Sequence, residues 1–175
     1  MPGPVTHRPR LERIPRRGDA FMVPRPVLGA PGRFEVDGTW GTIRPMELAP
    51  GVRTVGELEV IAHIEAGLPL VDSRRPEQHA AGTIPTAASI PHAETRARLA
   101  EFDPALDTIL FCNGPQCAAT PDAVEQLLAA GHPAERLRYY RGGMHDWVTL
   151  GLPVVVPGRE ARDRAGLSPE GPSTP

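Results

Sequence analysis

Two cysteines occupy one short segment, Cys112-Asn113-Gly114-Pro115-Gln116-Cys117, and they are the only thiols in a chain of 175 residues. Cys112 follows the apolar run Thr108-Ile109-Leu110-Phe111. A thiol at the end of a β-strand, at the mouth of a loop that opens onto a helix N-terminus, sits where backbone N–H groups converge on an anion. Such donors also lower a thiol pKa and so favour the nucleophilic thiolate. The pattern therefore predicts a depressed pKa at Cys112. The competing reading is an inert cysteine that closes a core strand, because free cysteines are commonly buried. Cys117 also admits two readings. As a small apolar residue it fills the underside of the loop, since a tight loop has little freedom to bring two sulfurs into bonding geometry. Alternatively, it resolves a persulfide or sulfenate on Cys112 as a disulfide.

The elements that must position these thiols read as alternating helices and short strands. A helical stripe runs from Val55 to Ala66 and stops at Gly67. A short strand, Leu68 to Asp72, ends in an acid, and Pro76 to Ala81 reads as a helical turn. Strands are predicted over Ala87–Ile90, Thr108–Phe111 and Leu137–Tyr140. Helices are predicted over Ala93–Glu101, with arginines on the outer face, and over Pro121–Ala130, with Thr120 as N-cap; a last one runs from Met144 to Leu150 after Gly142-Gly143. Such alternation implies an α/β domain with a mostly parallel sheet covered on both faces. In such sheets ligands bind at the carboxyl ends of the strands, where Cys112 lies.

Proline marks the boundaries. Of the 22 prolines, 13 fall within residues 1–50 and 157–175. Residues 1–50 read as a Pro/Arg-rich arm, with a small hairpin expected at 34–40 around Asp37-Gly38; residues 51–156 read as the domain and 157–175 as a disordered tail. Basic residues in Met1–Arg17 are not followed by an apolar run, so no secretory signal is expected there, and no stretch is long enough to span a membrane. A net charge of −2 and a pI near 6.3 argue against a nucleic-acid partner. All 19 basic residues are arginines, which leaves no lysine for Schiff-base chemistry. Two cysteines make no disulfide framework, so a reducing, cytoplasmic setting is expected.

Four ordered segments resemble the rhodanese-like sulfurtransferases. Asp72-Ser73-Arg74-Arg75-Pro76-Glu77-Gln78-His79-Ala80-Ala81-Gly82-Thr83-Ile84-Pro85 resembles the family's Asp-x-Arg…Glu…Gly-His-Ile-Pro signature. Ile90-Pro91 resembles the strand that follows it, Leu110-Phe111-Cys112 the strand carrying the catalytic cysteine, and Arg141-Gly142-Gly143-Met144-His145-Asp146-Trp147 the closing Gly-Gly…Trp motif. The resemblance covers roughly residues 51–156 and implies a single rhodanese domain, a three-layer α/β fold in which Cys112 carries a persulfide. Asn113, Gly114, Gln116, Cys117 and Ala118 would form the substrate-binding loop. It further implies a small sulfur-containing anion such as thiosulfate as donor, with a thiol, cyanide or a protein as sulfur acceptor. No metal or organic cofactor is implied.

The chain departs from that pattern at Thr83, where histidine is usual, at Thr86, where glycine is usual, and in the loop. Pro115 has no N–H, no cationic side chain lies between Cys112 and Pro121, and a helix starting at Pro121 makes the loop longer than the common six residues. Related phosphatases use Cys-x5-Arg, but Ala118 stands where the arginine clamp would be. Cys-x4-Cys lacks the usual spacing of a zinc site, and His63, His79 and His92 form no ligand grouping. Asp72 and Arg74 are expected to organise the strand end, with Glu77 as a partner for Arg74. His145 and Asp146 either overhang the site or form a solvated helix start, and Trp147 packs the last helix on the sheet. A non-enzymatic binding or regulatory module, or a thiol redox protein, remains as the alternative function.

Overall fold

A computed structural model describes residues 23–35 and 44–158. Its centre is a five-stranded sheet in the order β3-β7-β6-β4-β5, all parallel. The strands are β3 (Arg53–Val55), β4 (Leu70–Asp72), β5 (Ala88–Ser89), β6 (Thr108–Phe111) and β7 (Leu137–Tyr140). The preceding pair, β1 (Arg25–Pro26) and β2 (Phe34–Glu35), is antiparallel. The helices are α1 (Glu57–Glu65), α2 (Pro76–Ala81), α3 (Ala119–Ala129) and α4 (Gly143–Thr149), with a 3₁₀ run over His92–Glu101.

Successive side chains of a strand point to opposite faces, and β6 shows the consequence directly. Leu110 joins Val71, Val124, Leu127 and Tyr139 on one face, under α3. Ile109 and Phe111 join Leu70, Val60, Tyr140, Met144 and Trp147 on the other, under α1 and α4. A strand covered on both faces reads as a continuous apolar run, which is why β6 was legible. Trp147 packs α4 onto the sheet as expected, edge-on to Tyr140 at 6.3 Å, and its indole N–H donates to the Pro153 carbonyl at 2.8 Å.

Several boundaries differ from the sequence reading. Val55 belongs to β3, an edge strand too short and polar to signal itself, and α1 begins after Gly56, whose N–H donates to Glu59 Oε2 at 2.9 Å. Leu58, expected on the buried stripe of α1, is 81% exposed; Val60 and His63 are buried instead. Residues 92–101 form a 3₁₀ run kinked at Arg98, rather than an α-helix. Arg98 lies on its outer side, paired with Glu94 and Glu101. Most consequentially, α3 starts at Ala119, so Pro121 sits within the first turn, where its missing N–H is harmless, and the loop is correspondingly shorter.

Residues before 51 make contact with the sheet domain. Val23, Leu48 and Ala49 pack against its two apolar clusters, and the Arg44 N–H donates to the Pro115 carbonyl at 2.8 Å. The Asp37-Gly38 turn expected in a hairpin lies outside the described residues; Phe34–Glu35 pairs with Arg25–Pro26. The expected tail lies outside them from residue 159 onward. No described helix is long and apolar enough to cross a membrane.

Candidate active site

The carboxyl ends of β4, β6 and β7 meet at the loop 112–118. Two clamps hold it. From one side α4 docks end-on: the Met144 N–H donates to the Cys112 carbonyl at 3.0 Å, and the His145 N–H to the Asn113 carbonyl at 2.8 Å. This approach needs Gly143. Its φ is +56°, and a Cβ there would overlap the Cys112 carbonyl oxygen and meet the Gly114 nitrogen at 2.9 Å. Gly114 is tight but less so, with 3.1 Å between an added Cβ and the Cβ of His145. From the other side, the Arg141 guanidinium donates to the Arg44 carbonyl at 3.0 and 3.1 Å, and Arg44 holds Pro115.

Asp72 and Arg74 close the base of the site as a buried pair, 0% and 2% exposed, so their remaining hydrogen bonds decide whether the pair is tolerated. Those bonds are present. Arg74 Nε donates to both Asp72 oxygens at 2.9 and 3.1 Å, Nη2 donates to Asp72 Oδ2 at 2.6 Å and to the Gly82 carbonyl at 2.7 Å, and Nη1 faces Asn113 Oδ1 at 3.4 Å. Thr83, the residue in place of the usual histidine, donates its hydroxyl to Asp72 Oδ2 at 2.8 Å. Glu77 is not the partner of Arg74; it projects into solvent and pairs with Arg75. Thr86, in place of the usual glycine, takes φ +70°.

The Cys112 sulfur is buried, facing the carbonyl oxygens of Cys117 at 3.8 Å and Gly114 at 4.0 Å. Burial pushes its pKa well above the ordinary thiol range, and the hydrogen bond it shares with Cys117 pushes the same way. The hydroxyl and N–H of Thr120, in the first turn of α3, pull against this and are outweighed. The expected depression of the Cys112 pKa is thus corrected: the helix-end donors are there, but removing a thiolate from water costs more than they return. The depressed thiol is Cys117, held at about 6 by the Cys112 hydrogen bond, with the N–H groups of Asn113 and Ala119 and the charge of His92 assisting. Cys117 is less buried than Cys112, and its carbonyl oxygen lies 3.8 Å from the Cys112 sulfur.

Gln116 and Ala118 are half-buried on the loop, and His145 lies at its edge with its ring Nδ1 3.0 Å from Asp146 Oδ1. His145 Cβ lies 3.1 Å from where a Cβ on Gly114 would stand, and both His145 and Asp146 are partly exposed. Guanidinium groups absent from the loop sequence arrive from neighbouring elements, namely Arg74 and Arg141, and the imidazoles of His92 and His145 stand nearby. Three residues were missed as site components: His92, Thr120 and Tyr139. The first two stand just beyond a strand end and in the first helical turn, where site residues of parallel sheets concentrate, and that rule would have found them. Tyr139 carried no such signal. Its buried hydroxyl has no partner and lies within the field of Cys112, Cys117, Arg141 and Arg44. Among the described residues, no group of three or more metal-ligating side chains stands together.

The rhodanese-like domain model matches residues 57–150, more than half of the chain, so the chain belongs to the rhodanese-like family. Among curated relatives, an HTH-type transcriptional regulator of Mycobacterium tuberculosis is 42% identical over 97 residues, which are 55% of this chain and 42% of the regulator. A sulfurtransferase of Allochromatium vinosum is 33% identical over 88 residues, covering 50% of this chain and 78% of that protein. A solved thiosulfate sulfurtransferase from Pseudomonas aeruginosa aligns with a TM-score of 0.50 at 27% identity, over 59% of this chain and 20% of that one. The match thus spans less than half of the regulator and most of the smaller sulfurtransferase. The family includes sulfurtransferases, and the fold is theirs.

Proposed function

We propose that the protein is a sulfurtransferase that moves sulfane sulfur from thiosulfate through a persulfide on Cys112 to a thiol or cyanide acceptor. The observation that carries this reading is the buried Cys112 at the end of β6, inside a loop clamped by α4 and by the Arg44–Arg141 bridge. The nucleophile forms when the Cys112 proton passes along the shared hydrogen bond to the Cys117 sulfur, whose pKa of about 6 leaves it ionised at neutral pH. The Cys112 thiolate attacks the outer sulfur of thiosulfate, a sulfur–sulfur bond forms as another breaks, and sulfite leaves. With Cys112 only 1% exposed, a donor whose terminal sulfur enters the loop mouth is favoured over a bulky one. The loop residues Asn113, Gly114, Gln116, Cys117 and Ala118 surround the new persulfide, with the Arg74 guanidinium below the loop beside Asn113 and His145 at its edge. Both thiols are free, which suits a reducing, cytoplasmic setting.

The test is single-turnover sulfite release with intact-mass detection of one added sulfur. Wild type should release about one equivalent of sulfite, and Cys112→Ser should release none while remaining folded. A folded wild type that releases no sulfite and gains no sulfur would refute the reading. A regulatory or binding module, favoured by the 42% identity to a transcriptional regulator, would then take its place.

A further inference from the structure

We infer that Cys117 discharges the Cys112 persulfide internally, releasing sulfide and leaving a Cys112–Cys117 disulfide, so that the loop reduces sulfane sulfur as well as transferring it. The inference rests on the persulfide reading above and extends it to a second activity of the same loop.

Three structural observations converge on it. The Cys117 carbonyl oxygen lies 3.8 Å from the Cys112 sulfur, so the two residues already face each other across the loop. The turn closed by the Cys117 N–H and the Gly114 carbonyl at 3.0 Å brings Cys117 back toward the strand end. Accessibility differs between them: Cys112 is buried while Cys117 reaches the surface. A bulky acceptor thiol therefore meets Cys117 before Cys112, and the thiol closest to a new persulfide is Cys117 itself. The nearby N–H groups of Asn113 and Ala119 favour its thiolate, the attacking species in thiol exchange.

The step balances as follows. After sulfite leaves, Cys112 carries the persulfide anion and Cys117 the proton it accepted. That proton passes to the outer sulfur of the persulfide. The Cys117 thiolate then attacks the inner sulfur, Sγ of Cys112; the bond between the two cysteine sulfurs forms, the bond from Sγ to the outer sulfur breaks, and HS⁻ departs with the proton and the electron pair. The sulfane sulfur is reduced to sulfide, and the two cysteine thiols supply both electrons by becoming a disulfide. A further turnover requires a dithiol reductant, which meets the less buried Cys117 side of the disulfide first.

The experiment treats the full, reduced chain with one equivalent of thiosulfate in the absence of any added thiol or cyanide. Sulfite, sulfide and intact mass are followed together, with peptide mapping under acid quench. The expected result is sulfite followed by an equal amount of sulfide, with wild type ending two hydrogens lighter and Cys112 linked to Cys117. Cys117→Ser lacks the proton acceptor and should take up sulfur more slowly, but should keep on Cys112 each sulfur it takes up and release no sulfide for the sulfite it yields. Wild type that releases sulfite but keeps the added sulfur, without sulfide, overturns the inference and leaves the persulfide reading standing. Equal sulfide release by Cys117→Ser and wild type also overturns it. Absence of sulfite and of any mass change in wild type overturns the persulfide reading, and the inference with it.

Discussion

Gly143 is the point at which packing and chemistry are most tightly joined, and Gly143→Ala makes that link measurable. Two costs follow from the geometry. The first is conformational: at φ +56° an L side chain costs about 1–2 kcal/mol. The second is steric: the new methyl overlaps the Cys112 carbonyl oxygen and crowds the Gly114 nitrogen, both backbone atoms that no rotamer change relieves. Either α4 or the loop must move, and the Met144 and His145 N–H bonds to the loop are lost. Those two bonds are worth about 1 kcal/mol each, so the whole penalty is about 3–4 kcal/mol. Gly67→Ala provides the internal reference, because Gly67 has φ +68° but nothing within 4 Å of its added Cβ. It should show only the first cost, about 1–2 kcal/mol. Urea titration of both variants reads the difference as a shift in midpoint at unchanged slope. Gly143→Ala should also lose most sulfite release, since its clamp sets the loop that carries Cys112, whereas Gly67→Ala should keep it. Equal destabilisation in the two variants would refute the argument that α4 positions the loop through this close approach.

Four further outcomes are expected. Alkylation mapped by peptide mass across pH should label Cys117 first, with a midpoint near 6, and Cys112 only above the ordinary thiol range; prior labelling of Cys112 at neutral pH would contradict the burial argument. The unfolded chain holds a proton on Cys117 up to about pH 8.5, so the stability this residue contributes is present above that value and is lost as pH falls through about 6; Cys117→Ala should flatten that dependence. Asp72→Asn leaves the Arg74 guanidinium buried without its counter-charge and should cost about 3–5 kcal/mol by urea titration. Thr86→Gly removes a β-branched residue from φ +70° at an exposed position and should raise stability by about 0.5–1 kcal/mol, an increase in midpoint that a strain-free Thr86 would not give.

What the sequence alone determined is the part written in local pattern. The apolar run of β6, the acid ending β4, the Gly142-Gly143 pair and the loop cysteine follow one another with the period and punctuation of a parallel α/β sheet, and they place Cys112 at a strand end without any coordinates. Edge strand β3 was illegible because its pairing with β7 spans more than eighty residues and only one of its three side chains is buried. The start of α3 was misplaced because the Thr120-Pro121-Asp122 signal, though genuine first-turn chemistry, does not say which residue of the turn comes first. Only the tertiary structure decided which thiol is ionised. Donor convergence at a helix end is a local property, and it pointed to Cys112. Burial is not local: it comes from β6 being enclosed on both faces, and it reverses the order by leaving the charge on Cys117. Arg74 and His145 were suspected from the sequence, but only the fold shows that Arg74, His92 and the segment holding Arg141 and His145 reach the loop from three separate connections, brought together by the carboxyl ends of parallel strands.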